Sequence, residues 1–430
     1  MALLLKNGRV VDPAAGIDEV ADVVIRDGRI VEIGPDLSIP KGITVECAEK
    51  VVLPGLVDAH THLREPGFEY KEDVASGTRA AAHGGFTAVC AMPNTEPVCD
   101  EGAAVRFLVE RARERGAVRV HAIGAITVGQ KGMALAEMGD MLAEGAVAFS
   151  DDGRGVQNTG IMRLAMDYAR QFGATIVSHT EVEALAGNGV VNEGAVSTRL
   201  GLPGWPAAAE EIQVARDIAL AELTGCRLHL AHLSTARSLE LVREAKGRGV
   251  AVSCEVTPHH LFLDEDALDA RYDTNLKMNP PLRTAADREA LVAGLLDGTV
   301  DCIATDHAPH APHEKALEFE IAPFGTTGLE TALSLVNTQL VARDVLGWSD
   351  VVRLMSHGPR AALGIAPVTL APGEVADITV VDPEARVEVT PEFFESKSSN
   401  SAYLGATLLG KATEVLVGGQ FALRNGKVVE

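Results

Sequence analysis

Eight short apolar runs, each followed by a stretch of helical periodicity, fill the middle of this sequence. They constrain its fold more than any other feature. The runs centre on residues 56–60, 87–91, 119–125, 146–150, 175–179, 227–231, 250–255 and 301–305. Amphipathic stretches lie between them, among them 101–115, 159–172, 208–223 and 235–246. Apolar strands that alternate with helices imply βαβ units, which build a parallel sheet with both faces covered. Eight such units predict a closed (β/α)8 barrel. The two ends of the chain have a different texture. Residues 3–10, 22–25 and 29–33 are strand-like, with Asn7-Gly8 and Asp27-Gly28 as hairpin turns. Residues 377–381, 386–389, 414–417 and 427–429 repeat that pattern, with turns at Gly418-Gly419 and Asn425-Gly426. Neither end alone has enough strands to close a core. The expected class is therefore α/β: a TIM-like barrel over 54–366, with a small β-sandwich domain built from 1–53 and 367–430.

Composition excludes several function classes. Apolar residues make up 47% of the 430, enough for a sizeable core. No apolar run approaches the ~18 residues of a spanning helix. The opening Met1-Ala2-Leu3-Leu4-Leu5-Lys6 is too short to be a signal peptide. Six scattered cysteines form no CxxC pair, which fits reduced core residues and a cytoplasmic setting. The formal charge of −22 argues against a nucleic-acid or anionic-membrane partner. An anionic substrate would need a local cation to hold it.

In a parallel barrel the chemistry sits at the carboxyl ends of the strands. There the sequence places His60-Thr61-His62, Asn94, Asp151-Asp152, His179, His232 and Asp306. His60 and His62 stand two apart, so a strand turns both to one face as a metal clamp. Arg64 follows at the strand's mouth, where a planar cation can hold a carboxylate. Two zinc ions can share one hydroxide, with His60 and His62 on one ion and His179 and His232 on the other. Asp152 is the expected bridging anion, and Asp151 the alternative. Zinc acidifies bound water, and Asp306 can move the released proton to a leaving nitrogen.

These motifs resemble the dihydroorotase family, in its bacterial form, within the amidohydrolase superfamily. The match spans nearly the whole chain. It is carried by Pro54-Gly55-Leu56-Val57-Asp58-Ala59-His60-Thr61-His62-Leu63-Arg64-Glu65-Pro66-Gly67 and by Ala304-Thr305-Asp306-His307-Ala308-Pro309-His310. Ala91-Met92-Pro93-Asn94-Thr95 and Lys277-Met278-Asn279-Pro280-Pro281-Leu282-Arg283 also match. The resemblance implies reversible closure of N-carbamoyl-L-aspartate to L-dihydroorotate in pyrimidine synthesis, by attack of a zinc-bound hydroxide. It implies His60, His62, His179 and His232 as zinc ligands, Asp152 as their bridge and Asp306 as general acid/base. Substrate contacts carry over to His62, Leu63, Arg64, Asn94, Asn279, Asp306, His310, Phe324 and Gly325. Arg64, Asn94 and His310 would hold the substrate carboxylate. Asn279 and the Phe324-Gly325 backbone would meet the ring amides. Many superfamily members bridge their metals with a carboxylated lysine from strand 4, where this chain offers Asp151-Asp152. The shorter arm leaves open whether one zinc or two is held.

A hydantoinase or allantoinase would share the fold and metals, and Arg64 discriminates because hydantoins are neutral. A non-catalytic partner of aspartate carbamoyltransferase should lack several metal residues, and here the set is full. The sequence leaves open the oligomeric state, a homodimer included, and association with aspartate carbamoyltransferase. His259 and His260 are expected in a supporting role, His121 buried in strand 3, and His83 at a helix end. Glu181 either orients a metal ligand or is solvated. The prolines in 307–327 suggest a long loop over the barrel mouth, with His310 and Phe324 turned to substrate.

Overall fold

A computed structural model of the chain describes residues 2–429. The apolar runs form eight neighbouring parallel strands. These are β1 (Leu56–Thr61), β2 (Phe86–Ala91), β3 (Arg119–Gly124), β4 (Ala146–Ser150), β5 (Thr175–Ser178), β6 (Arg227–Leu230), β7 (Val252–Val256) and β8 (Cys302–Ile303). They neighbour one another in chain order, and helices such as Gly102–Arg115, Thr159–Arg170, Ala208–Thr224 and Ala236–Gly247 connect them. The expected barrel is present. Asn158, Thr235 and Thr284 mark helix starts, where each side chain accepts from an otherwise free backbone N–H. A sharp start matters here, because it ends the strand-to-helix loop that carries the site.

Strand β8 is shorter than the apolar run 301–305 suggests. The cause lies at the seam, where β8 meets β1 without a regular ladder. A buried side chain takes the ladder's place. Asp58 of β1 accepts from Thr305 N at 3.0 Å and from the Thr305 hydroxyl. It also accepts from His60 N at 3.1 Å. Just beyond, His62 N donates to His307 O at 2.9 Å, and Thr61 and His307 form an isolated parallel bridge. The segment holding His60 and His62 is thus tied directly to the one holding Asp306.

The two chain ends share one nine-stranded sheet. They join where Val51–Pro54 pairs antiparallel with Ile378–Glu388 and parallel with Ala2–Asp12. Ile43–Glu46, outside the strands expected from the sequence, pairs parallel with Ala2–Asp12. Alternation sorts the side chains of the joining strand. Val51 and Leu53 enter the large core shared with the barrel helices, whereas Val52 enters a separate core with Leu3, Leu5, Val10, Ile25 and Ile378. None of the helices is long and apolar enough to cross a membrane, among the described residues.

Asp58→Ala leaves three buried donors at the seam without their acceptor. At roughly 1–3 kcal/mol for each unsatisfied group, the expected loss is about 3 kcal/mol or more. Thermal unfolding checks this: a clear fall in the midpoint is expected, and an unchanged midpoint would mean that the seam is held by other contacts.

Candidate active site

The strand-end residues converge on one carboxylate. Asp152 Oδ1 lies 3.3 Å from His60 Nε2, 3.5 Å from His179 Nδ1 and 3.6 Å from His232 Nε2. Its Oδ2 lies 3.5 Å from His62 Nε2. Asp306 Oδ1 faces His62 Nε2 at 3.0 Å and His60 Nε2 at 3.6 Å. All six groups are buried. Asp151 turns the other way. It accepts from Ile126 N at 2.8 Å and Thr127 N at 3.0 Å, and from the Thr127 hydroxyl, so it anchors the loop after β3. Of the adjacent pair, Asp152 is the one placed among the imidazoles.

The donor set suits metal binding. Ligand atoms of His60, Asp152 and His232 lie within 4.8 Å of one another, and so do those of His60, His62 and Asp306. His60 Nε2 and Asp152 Oδ1 are buried, point at each other and make no hydrogen bond among the described residues. Desolvation disfavours a charged His60, but Asp152 and Glu255 outweigh it and raise its pKa well above the usual histidine value. Burial likewise opposes charge on His179, while Asp152 and Glu181 carry its pKa up to about 10. Carboxylates that hold protons this firmly on ring nitrogens also attract a cation, and the two compete for the same lone pairs.

Three of the four imidazoles are oriented from behind, while His232 Nδ1 has no partner among the described residues. His60 Nδ1 donates to Glu255 Oε1 at 2.8 Å, and His229 Nε2 contacts the other Glu255 oxygen at 3.1 Å. His179 Nε2 donates to Glu181 Oε2 at 3.0 Å, and Asn279 Nδ2 donates to the same oxygen at 3.0 Å. His62 Nδ1 lies 2.8 Å from Asn94 Oδ1. Such partners select the tautomer that presents the opposite nitrogen to a metal. Of Glu181's two expected roles, the structure shows the orienting one. Glu255 was absent from the sequence candidates, since a single glutamate at the end of β7 carries no spacing signal. His260 supports the rim, and His259 packs against it with ring centroids 4.5 Å apart. His260 bridges Thr257 Oγ1 at 2.8 Å and Pro280 O at 2.9 Å, beside Asn279. His121 lies on β3, its pKa lowered by burial to about 4. His83 ends the helix Val74–His83 and pairs with Glu330 at 2.8 Å.

A cavity of about 220 Å³ opens above the imidazoles. Its wall includes His62, Arg64, Asn94, Asn279, Asp306, His310, Phe324 and Gly325. Leu63 is not on that wall; its side chain packs in the core against Gly77. Arg64 is partly buried, its pKa lowered by desolvation, and it forms no ion pair among the described residues. Its one hydrogen bond runs from Nε to Pro309 O at 3.3 Å. Arg64, His232 and Asp306 all have positive φ, at 61°, 34° and 47°. Left-handed backbone is costly for residues with a Cβ and collects where function fixes geometry.

Comparison with known proteins agrees with this geometry. Residues 49–238 match a family model described as "Dihydro-orotase-like". A dihydroorotase from Pelotomaculum thermopropionicum is 52% identical over 425 residues, covering 99% of each chain. One from Anaeromyxobacter sp. is 50% identical, covering 99% of this chain and 98% of its own.

The chain belongs to the dihydroorotase family.

Among solved structures, an L-hydantoinase (dihydropyrimidinase) from Arthrobacter aurescens superposes with a TM-score of 0.89 at 26% identity, covering 100% of this chain and 97% of its own. A D-hydantoinase from Thermus sp. gives 0.86 at 26%, covering 99% and 96%. The protein is thus a hydrolase of the amidohydrolase type, metal-dependent, with a small-molecule substrate.

In this dihydroorotase-family chain, the segment 307–327 forms part of the cavity wall and is clamped by two lysines. Lys277 Nζ donates to Glu320 O at 2.9 Å and Ala322 O at 2.7 Å, and sits 4.5 Å from the centroid of the Phe324 ring. Lys315 Nζ donates to Thr274 O at 2.8 Å and Pro323 O at 2.9 Å. Burial, and then the nearby Lys277 charge, push Lys315 down to about 7; Asp273 and Glu314 pull the other way. In the unfolded chain it titrates as an ordinary lysine. Between these two values the unfolded state binds more protons at this position, so Lys315 makes stability rise with pH across that window. Lys315→Met is expected to flatten the rise. Denaturant unfolding of both proteins at pH 7 and pH 9 checks it, and equal slopes would contradict the assignment.

Proposed function

We propose that this protein interconverts L-dihydroorotate and N-carbamoyl-L-aspartate, using zinc held by His60, His62, His179, His232 and Asp152. One observation carries the substrate assignment. A partly buried arginine, without a carboxylate partner among the described residues, lines a cavity whose floor is a cluster of imidazoles and carboxylates. A guanidinium partly withdrawn from water without a counter-charge is destabilised, and a ligand carboxylate relieves that. Dihydroorotate has one carboxylate and a ring of amides, and the cavity offers matching groups. Arg64, Asn279 and Phe324–Gly325 line the same cavity. His310 Nε2 donates to Phe324 O at 2.8 Å, which fixes that backbone. Two zinc ions fit the two overlapping groups of ligand atoms better than one.

When bound, zinc would supply Lewis acidity and an acidified water. The chain's own residues do the rest. Arg64 anchors the carboxylate and so sets which ring carbonyl faces the imidazole cluster. Asp306 is buried, yet His62 and the neighbouring imidazoles hold its pKa below the usual carboxylate range. It therefore stands as a base. In ring opening, its Oδ1 takes a proton from the attacking water. The amide C–N bond breaks, and the same oxygen returns the proton to the departing nitrogen. Closure runs these steps in reverse. Buried, free cysteines support a cytoplasmic setting for the enzyme. A core drawn only from the two chain ends, with Leu3, Val52, Leu370 and Leu416 among its members, supports a division into residues 1–53 with 367–430, and 54–366.

Two measurements test this reading. Chelator treatment is expected to abolish dihydroorotate opening and added zinc to restore it; full activity after verified metal removal would refute the metal role. Arg64→Met should raise KM for dihydroorotate by about thirtyfold or more, since losing one partner of a buried charged pair costs about 2–5 kcal/mol. Unchanged KM would favour a neutral cyclic amide as substrate.

A further inference from the structure

We propose that Asn400, from the far end of the chain, is a positioning residue that sets the substrate-facing wall of the cavity. It lies outside helices and strands, in the stretch 396–401, and is buried. Its side chain uses all three of its strongest hydrogen-bonding directions on one target. Oδ1 accepts from His310 N at 3.0 Å. Nδ2 donates to Ala308 O at 3.1 Å and Gly325 O at 3.2 Å. Its backbone carbonyl accepts from Thr327 N at 3.0 Å and from the Thr326 hydroxyl at 3.1 Å. Residues 308–310 and 325–327 are the two flanks of the 307–327 segment. One planar amide therefore fixes both flanks against each other.

The flanks leave no slack. Gly325 has φ of 125°, and a Cβ there would lie 2.6 Å from the Ala308 Cβ. A shift of either flank moves the other, and with it His310 and the Phe324–Gly325 backbone. Asn400 is itself held in place. Lys397 Nζ donates to Glu69 O at 2.7 Å, and Ser398 Oγ donates to Lys71 O at 2.7 Å. Few side chains can substitute. Aspartate lacks the two donors, and glutamine adds a methylene that displaces the amide. This inference rests on the proposed function, because it takes His310 and Phe324–Gly325 to contact dihydroorotate.

The test compares Asn400→Asp and Asn400→Ala by steady-state kinetics on L-dihydroorotate with zinc-loaded enzyme. Asn400→Asp keeps the acceptor for His310 N and loses both donations, and Asn400→Ala loses all three contacts. The expected result in both is a KM raised about tenfold, the loss of one to two net hydrogen bonds, with kcat within about threefold and bound zinc unchanged. If neither variant folds, Thr326→Val decides, because it leaves the Asn400 side chain intact and removes the hydroxyl that donates to Asn400 O at 3.1 Å and accepts from Ala402 N at 3.0 Å, both in the stretch that holds Asn400; a severalfold rise in KM is expected there. KM within about twofold of the parent in folded variants overturns the inference, and so does a fall in kcat that tracks the folded fraction with KM unmoved. His310→Ala and Arg64→Met separate the two levels. If those two leave KM unchanged, the substrate assignment fails. If they raise KM and the Asn400 variants do not, only the role of Asn400 fails.

Discussion

The site exists because the first and last strands of the barrel meet. His60 and His62 come from one side of the seam and Asp306 from the other, about 245 residues later in the chain, a separation the fold bridges only by closing. At that junction the regular ladder is missing, and Asp58 substitutes for it by accepting from both Thr305 donors and from His60 N. The contact is therefore both structural and functional. It shuts the cylinder, and it sets how far the two imidazoles stand from the carboxylate that faces them. A barrel open at this seam would keep most of its hydrophobic core and lose its chemistry.

Burying so many ionisable groups is expensive, and the structure meets that cost by pairing. Glu255 serves His60 and His229, Glu181 serves His179 and Asn279, and Asp152 stands among four imidazoles. Each contact lowers the penalty of holding a charge out of water. The pairing also orients the rings of His60, His62 and His179. A cation fits this scaffold, because His60 Nε2 and Asp152 Oδ1 face each other without a hydrogen-bond partner among the described residues, and the His62–Asp306 and His179–His232 contacts beside them are made by atoms that can ligate a metal. Positive φ at Arg64, His232 and Asp306 adds local strain at the same rim. The network of hydrogen bonds around them holds these conformations in place.

Much of this was legible in the chain because it is written in local spacing. Alternating apolar runs and helices announce a parallel barrel, and the HxH pair with later strand-end histidines announces the rim. What stayed hidden is non-local. Asp58, Glu255 and Asn400 are common residue types with no periodic neighbours, and each acts on a partner that folding alone brings near. The short β8 misled for the same reason: residues 301–305 look like an ordinary buried strand, while their hydrogen bonds go to a side chain of β1. Asp151 and Asp152 are indistinguishable as letters. Only the strand geometry shows that Asp151 is spent on Ile126 and Thr127 while Asp152 faces the histidines. Leu63 shows that a residue inside a functional signature can bury its side chain in the core.

One tension in the electrostatics remains to be weighed. The chain carries a formal charge of −22, and its proposed substrate is an anion. Long-range attraction cannot draw that substrate in. At physiological salt, however, exposed charges are screened beyond roughly 8 Å, so most of the surface contributes little inside the cavity. Arg64 acts at contact distance in a poorly solvated pocket, where one charge pair is worth about 4 kcal/mol at 4 Å and an effective dielectric of 20. The near term outweighs the far one. A cavity built this way binds an anion by local desolvated contact, at the cost of a slower encounter. Neutral rings lack this contact and leave the guanidinium without a counter-charge.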